Sequence, residues 1–171
     1  MPSDAVYIDE TILHRPQILR RIERENPQSY LRPAGGLGQG LGTALGVKLA
    51  APDRPVVALM GDGSLLYNPI TQALGVARES SLPIMIVVFN NSSYAAMKRL
   101  HLSFYPEGDA AKSGIFHGVN IPGPDYQELA SPFGGHGERV EEPKRLAGAI
   151  KDGLAAVAQG KVAILDVALS G

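Results

Sequence analysis

Two apolar runs constrain this chain more than any other feature. Pro55-Val56-Val57-Ala58-Leu59-Met60 leads into Gly61-Asp62-Gly63-Ser64, and Pro83-Ile84-Met85-Ile86-Val87-Val88-Phe89 leads into Asn90-Asn91-Ser92-Ser93. Each run is short, continuous and apolar, as a strand buried on both faces of a parallel sheet must be. Between them, residues 68–79 carry Ile70, Ala73, Leu74 and Ala77 at helical spacing. Strand, crossover helix and strand in that order place the two strands side by side and parallel. Ligands of such sheets sit beyond the carboxyl ends of the strands. Asp62 and Asn91 therefore face each other across one crevice.

A carboxylate, an amide oxygen and a free backbone carbonyl are hard ligands that suit Mg²⁺ or Ca²⁺ rather than zinc or copper. So few protein ligands leave coordination positions open, which fits Mg²⁺ bound partly through a phosphate. Gly61 and Gly63 let phosphate oxygens approach backbone N–H groups. Asn68 reads as the helix N-cap and Pro69 as the first helical residue, so the helix aims its positive end at the same crevice. The residues alone predict a metal-bridged diphosphate site. The alternative is that Gly-Asp-Gly is only a tight turn and Asn-Asn only a strand exit. The two motifs together, at the ends of successive strands, argue against it.

The stretch from Gly61-Asp62-Gly63-Ser64 to Asn90-Asn91 resembles the signature of thiamine diphosphate (ThDP) enzymes. Ala34-Gly35-Gly36-Leu37-Gly38, the segment from Val119 to Tyr126 and Ala163-Ile164-Leu165-Asp166-Val167 also resemble the pyrophosphate-binding (PP) domain of benzoylformate decarboxylase and acetolactate synthase. The resemblance runs over residues 4–168. It implies one ThDP-binding domain over residues 1–171, an α/β fold with a parallel sheet flanked by helices on both faces. It implies that Asp62, Asn91 and the backbone carbonyl of Ser93 coordinate Mg²⁺. Gly35, Gly36, Leu37, Gly61, Gly63, Ser64 and Tyr94 join those three as cofactor contacts. Leu37 would wedge under the cofactor and hold it bent, and Gly35 would offer its carbonyl to the 4′-amino group. Thr11 and His14, in the turn after the first strand, are candidates for further diphosphate contacts. Ile12 and Leu13 stand where the family pattern has hydroxyl or polar residues. Met97, Leu100 and His101, on a short helix over 94–101, are candidates for the substrate wall. Plain core or surface roles are the alternatives for Leu37, His14 and the Met97/Leu100 pair.

In such enzymes the cofactor carries the chemistry, and the protein binds, bends and desolvates it. The glutamate that activates the cofactor comes from a separate pyrimidine-binding (PYR) domain. No segment here resembles that domain, and Glu10 lies in a PP-type strand. The resemblance thus implies one half of a 2-oxo acid decarboxylase, inactive alone and completed by a PYR-domain partner within a homo- or hetero-oligomer. Carboligation of the acetolactate synthase kind is the alternative within the class. A non-catalytic partner-binding module with the same fold is the alternative outside it. Ile12 and Leu13 favour that module; intact Asp62, Asn91 and Leu37 oppose it.

Composition narrows the rest. At 171 residues the chain fits one domain, and its net charge of −1 offers no field for nucleic acid or a membrane surface. The absence of cysteine excludes disulfides, thiol nucleophiles and zinc–thiolate sites, and fits a cytoplasmic setting. No apolar run approaches the ~18 residues of a membrane span. The glycine-rich stretch over 35–46 fails both nucleotide fingerprints: no register gives G-x-G-x-x-G, and Val47 rather than glycine precedes Lys48. A helix over 37–50 remains.

The other elements follow in order. A first strand over 5–8 ends in Asp9-Glu10-Thr11. A helix over 16–24 turns Ile18, Leu19 and Ile22 inward, with Arg15, Arg20, Arg21, Glu23, Arg24 and Glu25 as a solvated face. Residues 26–33 read as a loop. Residues 103–124, carrying Tyr105, Lys112, Phe116 and His117, read as an irregular lid or partner-contacting segment. A helix over 125–133 capped by Asp125, a strand over 137–140, a helix over 143–159 and a last strand over 162–169 complete the alternation.

Overall fold

The computed structural model describes residues 1–22 and 26–169. Its strands are Val6–Glu10 (β1), Tyr30–Leu31 (β2), Val56–Gly61 (β3), Met85–Asn90 (β4), His136–Val140 (β5) and Ala163–Ala168 (β6). They form one sheet in the order β2-β1-β3-β4-β6-β5, and every pairing is parallel. The α-helices are Arg15–Arg21 (α1), Gly40–Ala50 (α2), Asp62–Leu66 (α3), Ile70–Glu79 (α4), Ala95–Phe104 (α5), Asp109–Ser113 (α6) and Leu146–Ala158 (α7).

Side chains alternate strictly across the central strands. Ile8, Ala58, Met60, Ile86, Val88 and Ile164 point to one face, under α2, α4 and a 3₁₀ helix at Tyr126–Phe133. Tyr7, Val57, Leu59, Met85, Val87 and Leu165 point to the other, where Ile18 and Ile22 of the α1 segment and the apolar side of α7 pack. Both faces are thus covered, which is why β3 and β4 read as continuous apolar runs. No helix among the described residues is long and apolar enough to cross a membrane.

Several elements differ from the sequence expectation. The first helix stops at Arg21, and Glu23, Arg24 and Glu25 lie outside the described residues. Arg15 does not join a solvated face: its Nε lies 3.9 Å from the buried Asp9 carboxylate. The segment after Asn26 holds a two-residue edge strand, β2, too short for any periodicity to announce. Residues 35–39 are not helical; Gly35 and Gly38 take φ of +106° and +100°, and α2 begins only at Gly40. Residues 103–124 are not wholly irregular, since α5 runs to Phe104 and α6 follows. Asp125 precedes a 3₁₀ helix and makes no side-chain cap.

Asn68 does not cap α4 either; that helix starts behind Pro69 without a side-chain cap. Asn68 Oδ1 instead accepts from Leu41 N at 3.0 Å, at the head of α2, and its Nδ2 donates to Ser64 O and to Glu10 Oε2 at 2.7 Å. Glu10 Oε1 accepts from Gly38 N, Gln39 N and Gly40 N at 2.9, 2.8 and 3.1 Å. The free N–H groups that open α2 are therefore met by a carboxylate from β1 and an amide from the α3–α4 turn. Gly40 leaves room for this contact, because a Cβ there would lie 2.8 Å from Met60 Cε and 3.0 Å from Glu10 Oε2 and would force one of those side chains to move. Replacing Asn68 by Leu strands Leu41 N and one carboxylate oxygen. We expect Asn68→Leu to cost about 3 kcal/mol in urea unfolding, with an unchanged denaturant slope; a loss within error would contradict this capping role.

Candidate functional site

The carboxyl ends of β3 and β4 lie level, because Gly61 pairs with Phe89 across the sheet. At that edge β3 passes directly into α3, so Asp62 is the first residue of a helix rather than the middle of a tight turn. Asp62 is 4% exposed. Its Oδ1 accepts from Gly63 N at 2.9 Å, and its Oδ2 accepts from Ser93 N at 3.2 Å. The same Ser93 N–H also reaches Asn91 Oδ1 at 3.2 Å. Two hard side-chain oxygens from two strand ends thus converge on one backbone N–H. Ser92, with φ of +52°, makes the turn that brings Ser93 back over Asp62.

Burial pushes the Asp62 carboxyl above its ordinary range, against backbone N–H donors and a weaker pull from His14. No Lys or Arg pairs with it among the described residues. A buried carboxylate with no cation beside it is costly, and a bound cation would relieve that cost. Among the described residues no group of three or more His, Cys, Asp or Glu could hold a metal. The donor set is one carboxylate plus amide and carbonyl oxygens, which suits a hard cation sharing its shell with a phosphate. The residues fit that group.

The cleft above Asp62 gathers most of the residues expected from sequence. Gly61, Gly63, Ser64, Ser93, Tyr94, Met97, His14 and Leu37 all line it. Gly35 and Gly36 line a second hollow shared with Thr11; Leu37 and Ile12 border both. His14 stacks on Phe89, ring centroids 5.5 Å apart. Burial draws its imidazole below the usual range, Asp62 opposes that shift, and Arg99 adds to it. Gly63 serves packing, since a Cβ there would lie 2.5 Å from Tyr94 Cε1.

Other expected residues lie elsewhere. Thr11 is buried, and its hydroxyl donates to Asp9 Oδ1 at 2.6 Å instead of facing the cleft. Leu100 and His101 do not line the cleft; His101 sits against Tyr105 and Phe116 on the outside of α5. Sequence reasoning missed Tyr67, which lines the cleft and meets Tyr94 edge-on at 6.4 Å. It also missed Tyr126, whose hydroxyl donates to the Asp62 carbonyl at 3.4 Å. An aromatic at the end of α3 is a weak signal, and the Tyr126 contact spans 64 positions.

The family model for "Thiamine pyrophosphate enzyme, C-terminal TPP binding domain" matches residues 14–167. The chain belongs to this family. It is 35% identical over 156 residues to benzoylformate decarboxylase of Pseudomonas aeruginosa, covering 91% of this chain and 28% of that enzyme. It is 27% identical over 151 residues to the acetolactate synthase isozyme 2 large subunit of Escherichia coli, covering 87% of this chain and 26% of that subunit. Among solved structures, the ThDP-dependent 4-hydroxybenzoylformate decarboxylase of Rhodococcus jostii superposes with a TM-score of 0.83 at 30% identity, covering 99% of this chain and 30% of that one. This ThDP-binding domain thus spans under a third of the length of these relatives.

Burial of Asp62 gives a pH dependence of definite sign. Its carboxyl is raised in the native state, so the native chain holds this proton more tightly than the unfolded chain does. Its stabilising contribution is full below the ordinary carboxylate range near pH ~4 and is lost as pH rises through the raised value. Asp62→Asn cannot ionise. In metal-free urea unfolding we expect the stability of wild type relative to Asp62→Asn to fall as pH rises through that window; parallel pH profiles would contradict the assignment.

Proposed function

We propose that this domain binds the diphosphate of ThDP through Mg²⁺, as one half of the active site of a 2-oxo acid decarboxylase resembling benzoylformate decarboxylase. The observation that carries this reading is the convergence of Asp62 Oδ2 and Asn91 Oδ1 on the Ser93 N–H. A metal held by those oxygens and the Ser93 carbonyl keeps positions free for diphosphate oxygens and water. When bound, ThDP supplies the electron sink that decarboxylation of a 2-oxo acid requires. The protein's part is to bind, orient and keep water out. Leu37, which borders both hollows, would wedge the cofactor into a bent shape, and Gly35, which lines the second hollow, would offer its carbonyl to the aminopyrimidine. His14, Tyr94 and Met97 line the cleft; His14 and Tyr94 would flank the diphosphate, and Met97 would form the substrate side.

The site is one wall rather than a pocket. Neither of its two hollows, about 110 and 210 Å³, reaches the roughly 300–1,000 Å³ of sites that enclose ligands of this size. An apolar rim surrounds it: α5 buries no residue, and Met97, Leu100 and Phe104 form an exposed stripe at i, i+3 and i+7. Ile12 and Tyr67 extend this exposed apolar surface at the cleft. Exposed apolar surface of this extent marks a face that another surface covers. A PYR domain, on a separate chain or elsewhere in a longer one, would cover it and bring the activating glutamate. The 35% identity to benzoylformate decarboxylase favours an aryl 2-oxo acid substrate.

Thermal unfolding with ThDP plus Mg²⁺ tests the binding half of this proposal. Stabilisation should need both ligands, reach about 2.7 kcal/mol at a hundredfold excess over Kd, and vanish in Asp62→Ala. An equal shift in Asp62→Ala, or one independent of Mg²⁺, would contradict it. Turnover of benzoylformate should be absent for the chain alone and appear when a PYR domain is supplied; turnover by the chain alone would refute the half-site reading.

A further inference from the structure

Behind the metal turn a line of polar contacts, buried at Asn90 and Asp166, runs to the far edge of the sheet. Arg139 on β5 donates through Nη1 to Asp166 Oδ2 on β6 at 2.7 Å. Asp166, fully buried, accepts through Oδ1 from Asn90 Nδ2 on β4 at 2.9 Å. Asn90 Oδ1 then accepts from Ser92 N at 3.0 Å and from Ser92 Oγ at 3.2 Å. Ser92 is the left-handed residue whose turn delivers Ser93 to Asp62 and Asn91.

Each link sets the next. An amide can present either end to a neighbour, but a carboxylate only accepts. Asp166 therefore fixes Asn90 with its N–H₂ inward and its oxygen toward Ser92. That oxygen holds Ser92 at a positive φ, which costs roughly 1–2 kcal/mol for a residue with a Cβ. Arg139 holds Asp166 in place through this ion pair, since an unpaired carboxylate there would carry the full cost of burial. The turn is also tied from outside, by the Ser93–Asn120 bridge and by Ile121 N donating to Ser92 O at 2.9 Å. From the sheet side the Asn90 side chain holds Ser92 itself.

We infer that Arg139, Asp166 and Asn90 are positioning residues that set the metal turn of this site from the opposite edge of the sheet, through Ser92. The inference rests on the reading of Asp62, Asn91 and Ser93 as the metal site. Groups that orient ligands from behind typically account for about 10–100-fold in metal affinity.

The test uses the full chain in two variants. Asp166→Asn keeps the shape and removes the charge. Arg139→Gln sits on a partly exposed edge position and leaves the core intact. Amide exchange, followed by NMR without ligand, reads the turn alone; ThDP affinity at limiting Mg²⁺, where it depends on how tightly the metal is held, reads its consequence. We expect Ser92 and Ser93 to exchange faster in both variants while β3 amides keep their wild-type rates, and ThDP to bind at least ~10-fold more weakly. Unchanged exchange at Ser92 and Ser93 would overturn the inference whether or not the chain binds ThDP. Faster exchange with wild-type ThDP affinity would overturn the link to the metal site. Failure of the wild type to bind ThDP would defeat the earlier functional reading, and the exchange comparison would still decide this one.

Discussion

The parallel register of β3 against β4 is the constraint on which the site depends. Gly61 lies opposite Phe89, so both strands leave the sheet at the same level and Asp62 meets the turn after Asn90. Side chains alternate along a strand, so a slip of one residue would turn a whole strand over. Val57 and Leu59 would then press into the layer filled by Ala58 and Met60, and Asp62 would lose Ser93. The register is enforced by volume on both faces: Met60 and Ile86 fill one side, Met85 and Leu59 the other. The apolar core therefore fixes, at a distance, how two oxygen donors converge at its edge.

The buried carboxylates show what sets Asp62 apart. Among the described residues four are buried: Asp9, Glu10, Asp62 and Asp166. Asp9 accepts from Thr11 N, Thr11 Oγ and the Tyr30 hydroxyl, with Arg15 near by. Glu10 takes three backbone N–H groups and Asn68. Asp166 has Asn90 and Arg139. Those three are matched by donors within the fold and serve to join elements: β1 to β2, β1 to α2, β6 to β4 and β5. Asp62 has only backbone donors, lies beside a cleft, and has its carboxyl pushed upward by burial. A fold that surrounds its structural carboxylates with donors and leaves one at the edge of a cleft with few backbone donors points to where a cation belongs.

What was legible in the sequence follows from the range of the interactions involved. β3, β4, α4, α7 and β6 are long enough for apolar patterning to announce them, and the Gly-Asp-Gly and Asn-Asn motifs mark where the two central strands end. β2 contributes two residues at an edge and α3 five after a strand, too few for any period. Asn68 looked like a local cap because caps are usually local; its partners Glu10 and Leu41 lie 58 and 27 positions away. Thr11 looked like a ligand contact because it follows the strand, but Asp9 two residues back claims its hydroxyl. Leu100 was expected at the substrate wall from the family resemblance, yet it does not line the cleft that Met97 borders. Local pattern located the elements and the charged motifs, whereas pairings across the sheet decided which polar groups remained free to act.

The central claim is that the ends of β3 and β4 hold one hard cation between Asp62 and Asn91. The most direct measurement is an anomalous difference map from crystals of the domain grown with Mn²⁺ and ThDP, Mn²⁺ standing in for Mg²⁺. The account predicts a single strong peak about 2.1–2.2 Å from an Asp62 carboxylate oxygen, Asn91 Oδ1 and the Ser93 carbonyl, lost in Asp62→Ala. A peak elsewhere, or bound ThDP with no metal beside Asp62, would contradict it.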